Sequence, residues 1–168
     1  MKKIYIVITY TGTALSKIIK YYLRSEFSHV SISLDENLEE MYSFGRLNPY
    51  NPFYGSFVQE GLDRGTFKRF YKTRTKIYSI DVTNEQYEKI KKIIKNFNKN
   101  KEDYKFNVIG LFAVAVNKKI QFENSFYCAE FVNPSFPVPR QFLFRFYLSS
   151  EALSLTKDLR HLRRFCPD

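Results

Sequence analysis

"SHVSISLDENLEEMYSFGR", residues 28–46, begins by alternating apolar and polar side chains with the two-residue period of a half-buried strand. Val30, Ile32 and Leu34 fall on one face; His29, Ser31 and Ser33 fall on the other. "DENL", residues 35–38, supplies turn residues, and "EMYSFG", residues 40–45, reads as the return strand of a hairpin. The hairpin makes an antiparallel sheet the frame of the fold and puts one of the two histidines on its polar face. A histidine there is either a solvated edge residue or a side chain turned into a cleft.

Outward from the hairpin, "KKIYIVITY", residues 2–10, is rich in β-branched and aromatic residues and reads as a buried strand. Residues 13–24 place Leu15, Ile18, Ile19, Tyr22 and Leu23 at helical spacing. Residues 45–75 carry two Asn-Pro steps and several glycines and read as a long loop, of the kind that is functional or holds short irregular structure. "KIYSIDV", residues 76–82, is a further strand. In "TNEQYEKIKKIIKNF", Thr83 and Gln86 form a capping box, and Tyr87, Ile90, Ile94 and Phe97 form an apolar stripe. Lys91, Lys92, Lys95, Lys99 and Lys101 make its wet face. Residues 104–116 read as a second, mostly buried helix. After Pro134 the prolines cluster, and a last helix is expected near residues 149–164.

The 168 residues are 44% hydrophobic and 18% aromatic without a tryptophan, which predicts one domain with a ring-rich core. Lys and Arg total 27 against 17 Asp and Glu, a net charge of +10. Such a charge attracts polyanions, anionic lipid head groups or acidic ligands, and it also serves solubility alone. Neither an RNP-like nor a helix-turn-helix pattern is present to point to specific nucleic acid. Two cysteines make neither a disulfide framework nor a zinc pair, which fits a reducing, cytoplasmic setting; no metal or organic cofactor is implied. The opening "MKKIYIVITY" has the charge of a signal peptide but no small-residue cleavage site after it, and no apolar run is long enough to span a bilayer.

"ENSFYCAEFV", residues 123–132, sets one cysteine ahead of an apolar run. With Asn124 or Ser125 as N-cap, Cys128 falls in the first helical turn, where the helix dipole and free N–H groups favour a thiolate and can hold an oxyanion. A lone cysteine in this setting is otherwise a small core residue. Its meaning turns on whether the fold brings His29 to it. His161 and Cys166 are a second pair near the C-terminus, with Arg160, Arg163 and Arg164 beside them.

The hairpin "SHVSISLDENLEEMYSFGR", followed far downstream by "FYCAEFV", resembles the circularly permuted NlpC/P60 group of papain-like proteins, and most of all a small bacterial branch of it. In that group the histidine hairpin precedes the cysteine helix. The likeness covers residues 4–132 in order of elements: strand, helix, histidine hairpin, long loop, strand, two helices, cysteine helix. Residues 134–168 match poorly, and prolines interrupt the cysteine helix earlier than in relatives.

The resemblance implies an α+β fold, a single permuted papain-like domain over residues 1–168 with a small antiparallel sheet packed against helices. It also implies a thiol-dependent hydrolase or acyltransferase acting on an amide, ester or thioester bond of a peptide, lipid or small-molecule substrate. Cys128 would be the nucleophile and His29 the base, with a polar residue on the next strand orienting the imidazole. The family spacing lands on Met41, which cannot do so; the longer turn shifts the position to Ser43, with Glu40 as the other candidate on the opposite face. Arg46 would hold a substrate carboxylate, and Tyr10 would donate to the oxyanion. The competing expectation is a papain-like binding module without turnover, using its basic surface on anionic membrane or nucleic acid.

Overall fold

Five strands, β1 (Lys2–Tyr10), β2 (His29–Ser33), β3 (Met41–Asn48), β4 (Asn51–Glu60) and β5 (Arg74–Val82), form an antiparallel sheet in the order β4-β3-β2-β1-β5. The computed structural model describes residues 1–135 apart from 24, 49–50, 64, 71, 116–117 and 119. The helix expected over 149–164 and the His161–Cys166 pair lie outside the described residues. Helices α1 (Ala14–Leu23), α2 (Gly65–Arg69), α3 (Asn84–Lys99), α4 (Val108–Ala115) and α5 (Cys128–Ser135) complete an α+β fold, with a short parallel pair of β6 (Lys105–Phe106) and β7 (Ser125–Phe126). No helix among the described residues is long and apolar enough to cross a membrane.

Alternation sorts the sheet into two faces. Ile4, Ile6, Ile8, Val30, Ile32, Phe44 and Phe57 bury one face against Ile90 and Ile94 of α3 and Phe131 and Val132 of α5. Tyr5, Val7 and Met41 share the other face with Leu38 and Phe67 of α2. Phe44 is fully buried and meets the rings of Phe57, Phe97, Tyr104, Phe126 and Phe131. This aromatic cluster joins β3, β4, α3, β7 and α5, so it fixes where α5 begins.

Three expectations need correction. Residues 45–75 are not a long loop: β4 pairs with β3 from Met41↔Glu60 to Asn48↔Asn51, and α2 follows it. The Asn-Pro signals belong to the β3–β4 junction, where Asn48 ends one strand and Asn51 begins the next. Gly55 lies inside β4 because a Cβ there would strike the Gly45 carbonyl and Phe106. Residues 104–116 are not one helix: Lys105 and Phe106 pair with Ser125 and Phe126. Buried Asn107 then starts α4 by accepting from the Gly110 N–H at 2.7 Å. That same pairing keeps Asn124 and Ser125 from capping α5. The Tyr127 N–H, just before the helix, donates instead to Glu130 at 3.2 Å.

Helix α3 has the expected capping box, Thr83 accepting from the Gln86 N–H at 3.2 Å and Gln86 accepting from the Thr83 N–H at 2.9 Å. Phe44→Ala should lower stability by about 3–5 kcal/mol in urea unfolding, against about 1 kcal/mol for Thr83→Ala. Equal losses would show that the ring cluster does not hold the sheet and helices together.

Candidate active site

His29 is the first residue of β2, and Cys128 is the first residue of α5. The strand's polar face and the helix's buried side meet at this sheet end, where the Cys128 side chain hydrogen-bonds to the His29 imidazole. Cys128 is 1% exposed and not in a disulfide. It shares its side of α5 with Phe131 and Val132, so core packing sets the position of the sulfur.

The imidazole is held from its other side by a carboxylate. Nε2 donates to Glu60 Oε1 at 2.9 Å, and the Ser31 hydroxyl donates to Glu60 Oε2. The Ser43 hydroxyl hydrogen-bonds the same carboxylate and lies 3.2 Å from Nε2; Ser31 Oγ lies 3.3 Å from it. Nε2 is thus committed, which leaves Nδ1 for the thiol. The structure therefore brings Ser43 to the imidazole and adds Glu60, which the sequence reading missed. Glu40 is exposed at the hairpin turn, where its N–H donates to Asp35. Met41 pairs with Ser33, four residues beyond His29.

Register explains the arrangement. With Met41 opposite both Ser33 and Glu60, Ser43 follows opposite Val58, on the face that carries His29 and Ser31. Gly45 comes next, and a Cβ there would stand 3.7 Å from His29 Cε1. Residues 57–60, "FVQE", run apolar-apolar-polar-polar without alternation, so no local pattern marked Glu60 and only the pairing of β4 with β3 reveals it.

Electrostatics follow from burial and pairing. Burial pushes the His29 imidazolium toward losing its proton. The Glu60 charge, with the hydrogen bonds the imidazolium makes to Cys128 and Glu60, outweighs that, and the pKa is pushed up to about 10. Burial likewise disfavours the Glu60 carboxylate, yet His29 and the two serine hydroxyls hold its pKa below the ordinary value. At neutral pH the site is an imidazolium clamped by a carboxylate and facing a sulfur.

The site opens into a cavity of about 70 Å³ whose lining includes Cys128, His29, Glu60, Arg46 and Thr13. Arg46 is half-buried, donates from Nη2 to Thr13 Oγ1 at 3.2 Å, and has its pKa lowered by burial. Thr13 Oγ1 also caps α1 by accepting from the Ser16 N–H at 3.2 Å. Leu15 and Ile19 of α1 with Leu111 of α4 form an apolar wall. Tyr10 is not among the lining residues; its ring carries Lys20 Nζ at 5.0 Å and the Arg74 guanidinium at 5.1 Å. Among the described residues no group of His, Cys, Asp and Glu is arranged to hold a metal ion.

Compared with protein-family profiles, with curated proteins and with solved structures, the chain has no significant match in any of the three.

The raised His29 pKa carries a sign for stability. An unfolded imidazole titrates near 6.5 and the native one near 10, so the stabilisation is full below pH 6.5 and is lost as pH rises through about 10. The depressed Glu60 acts oppositely: its stabilisation is present above the ordinary carboxyl value and is lost as pH falls through the native one. Urea midpoints should therefore fall between pH 7 and 10, and Glu60→Gln should flatten that slope. NMR titration of His29 Cε1 in Glu60→Gln should show a pKa well below 10; an unchanged titration would mean that Glu60 does not control the imidazole.

Proposed function

We propose that this protein is a thiol-dependent hydrolase or acyltransferase of the circularly permuted papain-like, NlpC/P60 type. The observation that carries the reading is the clamped imidazole: Cys128 on one side of His29 and Glu60 on the other, with Nε2 to Oε1 at 2.9 Å. A structural cysteine in a core needs no oriented imidazolium beside it, whereas a nucleophile does. The order of elements, a histidine strand before a cysteine helix, with the sheet packed on α3 and α5, supports the permuted arrangement.

In the proposed reaction the imidazolium and the start of α5 favour the Cys128 thiolate. The sulfur attacks the carbonyl carbon of an amide, ester or thioester, forming a carbon–sulfur bond and an oxyanion that N–H groups of the first turn of α5 receive. Collapse expels the amine, alcohol or thiol, which takes its proton from His29 and leaves an acyl-thioester on Cys128. Water, or a second nucleophile in a transfer, gives its proton to the neutral His29 and attacks the thioester, restoring thiolate and imidazolium. Glu60 stabilises the imidazolium and keeps Nδ1 turned to the sulfur. Ser31 and Ser43 hold the carboxylate. Arg46 and Thr13 would receive an anionic group of the substrate, while Leu15, Ile19 and Leu111 would take an apolar part.

Iodoacetamide at pH 6 should label Cys128 far faster than a free thiol with a pKa of about 8.5, and His29→Ala should remove that advantage. Against a panel of activated esters and thioesters, Cys128→Ala should abolish turnover. Glu60→Gln should lower kcat/KM about ten- to a hundredfold, and Ser43→Ala less than about tenfold, because a hydroxyl one step removed contributes less to imidazolium stability. Labelling of wild type, His29→Ala and free cysteine at one common rate would refute the proposal.

A further inference from the structure

The outer face of α1 is apolar where an ordinary surface helix is polar. Ile18 is 44% exposed, Tyr21 80% and Tyr22 56%, while Ile19 on the inner side is buried. The Tyr22 ring stands edge-on to Phe112 of α4 at 6.2 Å. Ile109, one turn before Phe112 on the same side of α4, is 51% exposed. Ile18, Tyr22, Phe112 and Ile109 thus form a strip that crosses from one helix to its neighbour, and Tyr21 packs against Tyr22 at 5.7 Å. Exposed Ile120 and Phe122 follow in the segment that binds back to Asn107, the N-cap of α4.

The segments that carry this strip are basic up to the exposed Glu123 that follows Phe122. Residues 11–23 and 105–122 contain no aspartate or glutamate, and they contribute Lys17, Lys20, Lys105 and Lys118 among the described residues. Basic side chains bordering exposed aliphatic and tyrosine side chains are the composition of an interfacial lipid-binding surface: apolar groups enter the acyl boundary, tyrosines sit at head-group level, and lysines meet anionic heads. A partner protein would bury the aliphatic residues equally well but gives no reason for both segments to carry lysines and no carboxylate before Glu123.

We infer that the exposed α1–α4 face docks the protein on an anionic lipid surface. The docking stands on this face alone. One consequence rests on the proposed function: the opposite sides of the same helices, Leu15, Ile19 and Leu111, wall the Cys128 cavity, so a docked molecule would hold that cavity close to the head groups of a bilayer. The substrate class is then an amphipathic acyl ester, amide or thioester whose anionic end lies toward Arg46.

The test is co-sedimentation of the full chain with vesicles of phosphatidylcholine alone and with about a third phosphatidylglycerol. Anionic vesicles should retain the protein, neutral ones should not, and retention should weaken with salt. Ile109→Ser and Tyr21→Ser should each lower the partition coefficient about five- to tenfold, and Lys17→Glu by a similar factor. None of the three lines the cavity, so iodoacetamide labelling of Cys128 should stay at the wild-type rate in each, which also shows that the variants fold. Absence from both vesicle types, or binding untouched by all three substitutions, overturns the docking. A dimer in sedimentation equilibrium that the same substitutions dissociate, without vesicle binding, assigns the face to a second copy. Ordinary Cys128 reactivity beside intact vesicle binding removes the proposed function and leaves the docking standing.

Discussion

Glu60 is an acidic side chain mostly removed from water, 14% exposed, and an ionised carboxylate is expensive to bury unless its oxygens are answered. His29, Ser31 and Ser43 answer it from two neighbouring strands, so β2, β3 and β4 must hold one register or leave a charge stranded. Replacing such a group by a well-packed apolar side chain often costs nothing in stability, while removing one partner alone is costly. The carboxylate is therefore better explained by what it does to the imidazole than by what it adds to the fold.

The other side of the site depends on packing instead of charge. Cys128, Phe131 and Val132 form the buried side of α5, and Phe131 stacks into the ring cluster centred on Phe44 and Phe57. The sulfur cannot move far without moving those rings, and close-packed interiors resist such shifts. His29 is placed by hydrogen bonds and Cys128 by aromatic packing; the two supports converge at one sheet end.

Helix starts recur around the cavity. Thr13 caps α1, Asn107 caps α4, and Glu130 accepts from the Tyr127 N–H just before α5. Each cap satisfies backbone donors that would otherwise be stranded near the buried pair. Thr13 has a double use, since its hydroxyl also receives Arg46 and so ties the cation to the cavity wall. The inner sides of α1 and α4 line that cavity, and their outer sides carry an exposed apolar strip.

Local periodicity was sufficient for β1, α1, the β2–β3 hairpin, β5 and α3, because each has a face that alternates or repeats and α3 also has its capping box. The same alternation put His29 on the polar face, and Cys128 was expected in a first helical turn, though through the wrong N-cap. Residues 51–60 misled, since glycine and proline punctuation argues for loop while the strand is imposed by pairing with β3. Missing β4 meant missing Glu60, and Ser43 was the nearest polar residue that the hairpin alone could offer. The β6–β7 pairing was equally invisible: it joins residues twenty apart and overrides the helical reading of Lys105 and Phe106 and the capping reading of Asn124 and Ser125. Sequence by itself determined the alternating and helical segments and the residue types able to do thiol chemistry. Which carboxylate meets the histidine was decided by strand register, because a contact across three strands depends on pairing between distant segments that no local pattern encodes.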